Sequence, residues 1–320
     1  MKDYILRKIK RKKGKKYIHE YTDKRGNILT KKDYESLLKN LYVAPAYDNV
    51  KINKHKTDKI LAIGTDDKGR KQYTYNSDYV QAASDNKYKK LIGFGNNYKC
   101  IMSRINKDMI TFEDSKKKQV AMVLKVIDEC NFRVGNEKYT KENNSFGVCT
   151  LENQHVTIGK SGVTIDFIGK EGVRNTCRVT NKRLTKNLRT KKKILGKKDR
   201  IFTYRSNNRY HHVKATDVNK YLKQFGDFSA KNFRTWTANV DLIKELLKDS
   251  TNLKKHLTES IKKISSRMHH TASICKKNYI NKELMDMYTK QNDKFRYYFK
   301  SSDKDGISED FIQFLKDVYK

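Results

Sequence analysis

"HVTIGKSGVTIDFIGKEGV", residues 155–173, places Val163, Ile165 and Phe167 on one side of an extended chain, with glycines at both ends. Alternation with period two, bounded by turn residues, predicts a β-hairpin with Lys170 at a strand exit beside a turn. The hairpin stands out because its surroundings are helical. In "SKKKQVAMVLKVIDECNF" (115–132), Val120, Val123, Leu124 and Ile127 fall at i, i+3, i+4 and i+7, one face of a helix that delivers the chain to Arg133. Leu242, Ile243, Leu246 and Leu247, then Leu253, Leu257, Ile261 and Ile264, mark two more amphipathic helices leading to His269 and His270. Residues 86–320 therefore read as a mostly α-helical domain holding one small sheet.

The chain before it has another texture. "KYIHEYTDKRGNILT" (16–30) reads as a hairpin turning near Gly26, and "KILAIGTDDKGRKQYTYN" (59–76) as a second β-rich segment. Residues 1–85 are thus expected to form a small β-rich domain, which makes the fold class α+β. The nearly continuous basic run 7–16 reads as a solvated arm, and the basic cluster 182–200 as a loop or exposed helix. "DKDGISED" (303–310) lacks the spacing of a calcium loop and reads as a turn with Ser308 capping a last helix.

Composition narrows the function. The 320 residues carry 72 Lys+Arg against 36 Asp+Glu, a formal charge of +36 that a polyanionic partner would neutralise. Nucleic acid is the expected partner, although part of the lysine excess also fits an AT-rich coding sequence. No apolar stretch is long enough to span a membrane, and "MKDYILRKIKRKKGKK" lacks the apolar core of a signal peptide, so an intracellular location is expected. Five cysteines without C-x-x-C spacing predict free thiols rather than a disulfide framework or a zinc site.

There is no nucleotide-binding P-loop, no H-E-x-x-H and no set of spaced carboxylates for a metal-dependent nuclease, so no cofactor or metal is expected. Chemistry on a phosphodiester would then need a protein nucleophile, donors for the non-bridging oxygens and an acid for the leaving oxygen. "NFRVGNEKYTKENNSFGVCTL" (131–151) offers Arg133; "DFIGKEG" (166–172) offers Lys170; "AKNFRTWTAN" (230–239) offers Lys231 and Arg234; "HHTASICKKNY" (269–279) offers His270 and Tyr279. Taken singly, each has an ordinary explanation: surface or ion-paired arginines, a solvated lysine in a turn, a helix-end histidine, a packed tyrosine.

Taken together and in this order, the segments resemble the poxvirus-type family of type IB DNA topoisomerases, which has members in giant viruses and some bacteria. R-x-G-x-x-x-Y followed by F-G-x-x-T-L matches that family's first arginine motif, and "GTDDKGRKQYTY" (64–75) resembles its N-terminal segment that contacts DNA through the major groove. The resemblance covers roughly residues 60–285. It implies that Tyr279 attacks the scissile phosphate to leave a 3′-phosphotyrosyl link, with Arg133, Arg234 and His270 on the non-bridging oxygens. Lys170 would protonate the 5′-oxygen, with Lys231 near it and Asn239 in support. Phenol has a free pKa near 10, so its activation must come from neighbouring cations. The resemblance further implies duplex DNA contacts from Arg70, Gln72, Tyr73, Tyr75, Lys138 and Tyr139, and a monomer acting as a two-domain clamp. It also implies relaxation of positive and negative supercoils without ATP, and a place in a virion or an infected cell's DNA compartment.

The chain departs from the family pattern in several places. His269 stands where glycine is common, Ala272 where proline follows His-Thr, Trp236 where tyrosine often follows Arg-Thr, and Glu171 follows Lys170. Two rival readings remain at this stage. A tyrosine recombinase shares the chemistry but usually carries H-x-x-R where this chain has K-x-x-R, Lys231 to Arg234. A non-catalytic basic DNA-binding protein would share the charge and form no covalent adduct.

Overall fold

Ile5 and Arg7 are buried two residues apart in the basic N-terminal segment, which is a strand and not the solvated arm that its charge suggests. The reason is the Arg7 guanidinium, which donates to the carbonyls of Val43, Ala44 and Tyr47 at 3.2, 2.8 and 3.1 Å. A cation in this run is thus a bracket for a loop. The computed structural model describes residues 1–14, 16–111, 114–160 and 162–319. They fall into two units, Met1–Lys87 and Tyr88–Lys320.

The first unit is an antiparallel sheet of β1 (Tyr4–Lys13), β2 (Lys16–Thr22), β3 (Asp48–Asn53), β4 (Ile60–Thr65) and β5 (Lys71–Tyr75), in the order β2-β1-β3-β4-β5. Helix α1 (Lys31–Leu38) is inserted between β2 and β3. Ile5, Val50, Ile52 and Ala62 make a small core, padded by Tyr21 and Tyr34, whose rings stack at 3.9 Å. The turn expected near Gly26 forms around the Asp23 carboxylate, yet it closes only the single bridge Thr22 to Ile28. The main partner of β2 is β1, from Leu6 opposite Thr22 to Lys13 opposite Lys16. Lys15, within the same basic run, lies outside the described residues.

Helix α2 (Ser77–Asp108) carries the chain into the second unit. There the sequence stripe becomes α3 (Lys116–Cys130), with Val120, Val123, Leu124 and Ile127 buried. Short α4 (Glu137–Asn143) follows, then an antiparallel sheet of β6 (Val156–Gly159), β7 (Gly162–Ile168) and β8 (Arg174–Val179) in that order. The hairpin pairs Val156 with Ile165 and Ile158 with Val163. Helix α5 (Lys182–Ile194) is the basic cluster, with Leu184 and Leu188 as its anchors. A second hairpin, β9 (Thr203–Ser206) and β10 (Arg209–His212), turns on Asn207 and Asn208, both at positive φ as a type I′ turn requires.

The remaining helices are α6 (Ala215–Leu222), α7 (Ala230–Leu246), α8 (Leu253–Arg267), α9 (Ala272–Asn278), α10 (Lys282–Lys290), α11 (Asn292–Tyr298) and α12 (Lys304–Val318). Helix α7 runs through the middle of the core, with every residue from Phe233 to Val240 buried. Trp236 explains how closely it packs: a Cβ on Gly95 of α2 would come within 2.5 Å of the indole, so only glycine admits the ring there. Asp303, not Ser308, caps α12, accepting from the backbone of Asp305 and Gly306. Ser308 lies one turn inside, bonded to the Lys304 carbonyl.

The cysteines also differ from expectation. Cys130 at the end of α3 and Cys177 in β8 form a disulfide across 47 residues, while Cys100, Cys149 and Cys275 are free. No short spacing announced the pair, because the fold and not local sequence brings these two elements together.

Candidate active site

Arg133 follows α3 on a segment whose backbone is pinned: its carbonyl accepts from Val148 N–H at 2.9 Å, and that of Val134 accepts from Cys149 N–H at 2.8 Å. Gly135 (φ +87°) and Gly147 cross in backbone contact, and a Cβ on Gly147 would lie 2.5 Å from Gly135. The glycines of R-x-G and F-G are therefore steric requirements of this crossing. Arg234 comes from buried α7 and is 4% exposed. It donates to the Met268 carbonyl at 2.9 Å, fixing the end of α8 from which His270 projects.

Both guanidiniums converge on His270. Arg234 Nη2 is 2.8 Å from His270 Nε2, and Arg133 Nη2 is 3.1 Å from Nδ1 and 3.3 Å from Nε2. Burial, reinforced by the charges of Arg133, Arg234, His269 and Lys170, pushes the imidazole pKa down to about 3. His270 is thus neutral here near pH 7. Burial likewise pushes Arg234 down to about 10, with the Arg133 charge adding to that effect and Tyr279 opposing it. The Arg234 Nε–H is buried and has no acceptor among the described residues. Two cations and an unsatisfied donor around a neutral histidine, with no carboxylate bonded to any of them among the described residues, make a site built for an anion that it does not itself supply.

Tyr279 completes the cluster. Its ring centroid is 5.1 Å from that of His270, and the Arg234 guanidinium sits 4.9 Å above the ring. The tyrosine is 7% exposed and follows α9, whose N-cap Thr271 accepts from Ile274 N–H. Its backbone is held from two directions: Tyr279 N–H donates to Cys275 O at 3.0 Å, and Asn239 Nδ2 donates to Tyr279 O at 2.8 Å. Asn239 also donates to Thr235 O and accepts from Asn281 N–H, so its orientation is fixed by three bonds. Cys275, beneath this turn, is buried, and burial raises its thiol to about 11, far from a reactive thiolate.

Arg133, Arg234, His270, Tyr279 and Asn239 therefore come together. Lys170 stands apart on the exposed turn between β7 and β8, close enough for its charge to act on His270 but in no bond with the cluster. Lys231 is exposed on the first turn of α7. Lys138 and Tyr139 face solvent on α4, where Lys138 pairs loosely with Glu142 at 3.8 Å. In the first unit, Tyr73 and Tyr75 share the exposed face of edge strand β5, their centroids 6.2 Å apart, and Tyr79 extends the row. Gln72 lies on the other face, and with Arg70 it bonds Asp66 at 2.9 and 2.8 Å. Partial burial alone would raise the Asp66 carboxyl, but the bonds from Arg70, Gln72 and Lys68 bring it to about 2.

Sequence reasoning missed two contributors. Asn281, fully buried, caps α10 by accepting from Leu284 N–H and donates its own N–H to Asn239; an Asn at the head of a helical stretch was the available signal. The Cys130–Cys177 link joins the end of the Arg133 approach helix to the sheet that carries Lys170, and no signal for it exists in the spacing. Among the described residues no group of three or more His, Cys, Asp or Glu side chains forms a metal donor set, and no helix is long and apolar enough to cross a membrane.

Comparison with known proteins agrees with this geometry. Residues 76–305 match the family model described as eukaryotic DNA topoisomerase I, catalytic core. The chain is 31% identical to DNA topoisomerase 1B of Acanthamoeba polyphaga mimivirus, across 96% of this chain and 95% of that protein. It is 27% identical to DNA topoisomerase 1B of vaccinia virus, across 78% and 83% of the two chains. With the fission yeast DNA topoisomerase 1 it shares 35% identity over 43% of this chain but only 16% of that much longer protein. A match spanning both units at this level places the chain in the type IB DNA topoisomerase family, and it is an enzyme of that class acting on DNA.

Proposed function

We propose that the protein relaxes positive and negative supercoils by cutting and resealing one strand through Tyr279, without ATP or a divalent metal. Tyr279 Oη attacks the phosphorus and the bond to the 5′-oxygen breaks, leaving a 3′-phosphotyrosyl link and a 5′-hydroxyl. The new ester conserves the energy of the old one, so resealing is the same step reversed. Arg133 and Arg234 hold the non-bridging oxygens as planar, always-charged forks, a task that lysine performs less well. His270 contributes a further donor: a phosphate between the arginines screens them and favours the imidazolium. Lys170, on the exposed turn between β7 and β8, gives its proton to the departing 5′-oxygen, with Lys231 reaching the same oxygen.

One observation carries this reading: two guanidiniums, one of them buried with an unpaired N–H, meet on a neutral histidine beside a tyrosine whose backbone is locked. Duplex binding falls to the basic surface and to Tyr73, Tyr75, Lys138 and Tyr139, while Arg70 and Gln72 are presented by Asp66. Both units grip one duplex, and a monomer suffices. The test is relaxation of a supercoiled plasmid in excess EDTA without ATP, comparing wild type with Tyr279→Phe. The expected result is relaxation of both signs of supercoil by wild type and an inert variant that still binds DNA. Tight binding with unchanged topology in the wild type would rule the mechanism out, and exchange between paired sites would point to a recombinase.

A further inference from the structure

The turn that presents His270 is a Schellman motif. His269 N–H donates to Ser266 O at 3.1 Å, and His270 N–H donates to Ser265 O at 3.0 Å, closing the end of α8. The position between helix and catalytic histidine is the one where glycine is usual, because it takes a left-handed conformation. Here it is His269, at φ +56°. A side chain with a Cβ is disfavoured there unless its contacts compensate.

Those contacts are specific. His269 Nε2 lies 3.2 Å from the Cys130 carbonyl at the end of α3, and its ring packs against Phe132 at 4.9 Å between centroids. Phe132 in turn meets Phe167 of β7 edge-on at 4.8 Å. Cys130 is fastened to β8 by its disulfide, and Arg133 is the next residue after Phe132. The side chain of His269 thus spans from the turn that carries His270 to the segment that carries Arg133. A glycine could make the same turn but could not make the span.

We infer that His269 is a positioning residue, setting the distance between His270 and Arg133 before DNA arrives. This rests on the reading that His270 and Arg133 serve phosphoryl transfer at Tyr279. The Nε2–H tautomer donates to the Cys130 carbonyl, and burial lowers the ring's pKa, which favours the neutral form. Glutamine places its Nε2 at the same number of bonds from Cα and can donate to the same carbonyl. Asparagine accepts the left-handed conformation more readily but is one bond too short.

The test is single-turnover formation of the Tyr279 adduct on a suicide duplex, with DNA affinity and melting temperature measured in parallel, for His269→Gly, His269→Asn and His269→Gln. Positioning predicts that the glycine variant melts no lower than wild type and binds DNA equally well. It should form adduct roughly ten- to a hundredfold more slowly. The asparagine variant should be slow as well, and the glutamine variant should recover part of the rate. If His269 served only to cap α8, the glycine variant would cleave at the wild-type rate and glutamine would offer no rescue over asparagine; that pattern overturns the inference while leaving the mechanism intact. Failure of the wild type to form any Tyr279-dependent adduct would instead remove the reading on which the inference rests.

Discussion

The Asn239 side-chain amide donates to the Tyr279 carbonyl at 2.8 Å, and its oxygen accepts from the N–H of Asn281, two residues further on. A residue of α7 therefore grips the backbone at the tyrosine's carbonyl and two residues beyond it, and Arg234 lies on the same helix about one and a half turns earlier. The proposed nucleophile and the proposed oxyanion donor are thus referred to one helix. Asn239→Ala strips partners from two carbonyls and one N–H in a fully buried place. Each such loss costs about 1–3 kcal/mol. Denaturant unfolding should show a loss of at least about 2 kcal/mol, with slower adduct formation in the fraction that folds. An Asn239→Ala enzyme as stable as wild type would mean that these bonds are of little consequence.

Arg234 holds the Met268 carbonyl with the same Nη2 that meets His270, while its Nε–H stays unpaired. Lysine offers one nitrogen where the guanidinium offers a fork, so it cannot secure α8 and serve a phosphate oxygen together. Arg234→Lys is expected to lower the cleavage rate about 10²- to 10³-fold, the usual cost of one missing oxyanion donor. Quench-flow cleavage at saturating DNA measures this directly. A loss confined to DNA affinity would argue that Arg234 binds substrate without favouring the transition state.

The neutral His270 also ties stability to pH. Its folded pKa, about 3, lies below the usual value of 6.5. The unfolded chain therefore binds the extra proton, and stability rises with pH through this window. The contribution is fully present above pH 6.5 and is lost as pH falls toward 3. His155 and His269 are lowered in the same direction, mainly by burial, so they share the slope. His270→Asn should make unfolding free energy less sensitive to pH between 7 and 5 than in the wild type. An unchanged slope would mean that His270 is already charged in the free enzyme.

What the sequence makes legible depends on whether a residue's neighbours are local. The buried face of α3, the β6–β7 hairpin and the exit of Lys170 follow from spacing alone, because periodicity reports which side of an element is covered. The joining of Arg133, Arg234, His270 and Tyr279 was legible only as an ordered set, since each alone is unremarkable in so basic a chain. Arg7 was illegible for the opposite reason: its three carbonyl partners lie 36 to 40 residues away, and a buried arginine among lysines looks like any other charge. His269 was visible as a departure from glycine, but its contacts to Cys130 and Phe132 are tertiary.

The disulfide closes a long loop, and in the chain-entropy account a crosslink of this separation stabilises by about 4 kcal/mol, less any cost of holding it in the native state. Cys177→Ser should lower the unfolding free energy of the oxidised protein by about 2–4 kcal/mol. It should have no effect on protein pre-treated with dithiothreitol beyond that of reduction itself. Equal stability of wild type and variant under oxidising conditions would show that the thiols do not pair in solution.

The N-terminal basic run divides into residues that build the sheet and residues that are free to meet a polyanion. Arg7 is 6% exposed and bonds three carbonyls, whereas Lys8 and Lys13 of the same strand point to solvent. Arg7→Ala should destabilise the first unit by about 2–4 kcal/mol, because three part-buried carbonyls lose a charged donor. The double variant Lys8→Ala, Lys13→Ala should change stability by no more than about 0.5 kcal/mol for each site. It should instead reduce the steepness with which duplex affinity falls as salt rises, by about one unit of log–log slope for each phosphate contact removed. Thermal unfolding paired with DNA titrations at several salt concentrations separates the two roles. If the lysine pair altered stability and left the salt slope alone, the exposed side of β1 would be part of the scaffold and the DNA-facing charge would have to lie elsewhere.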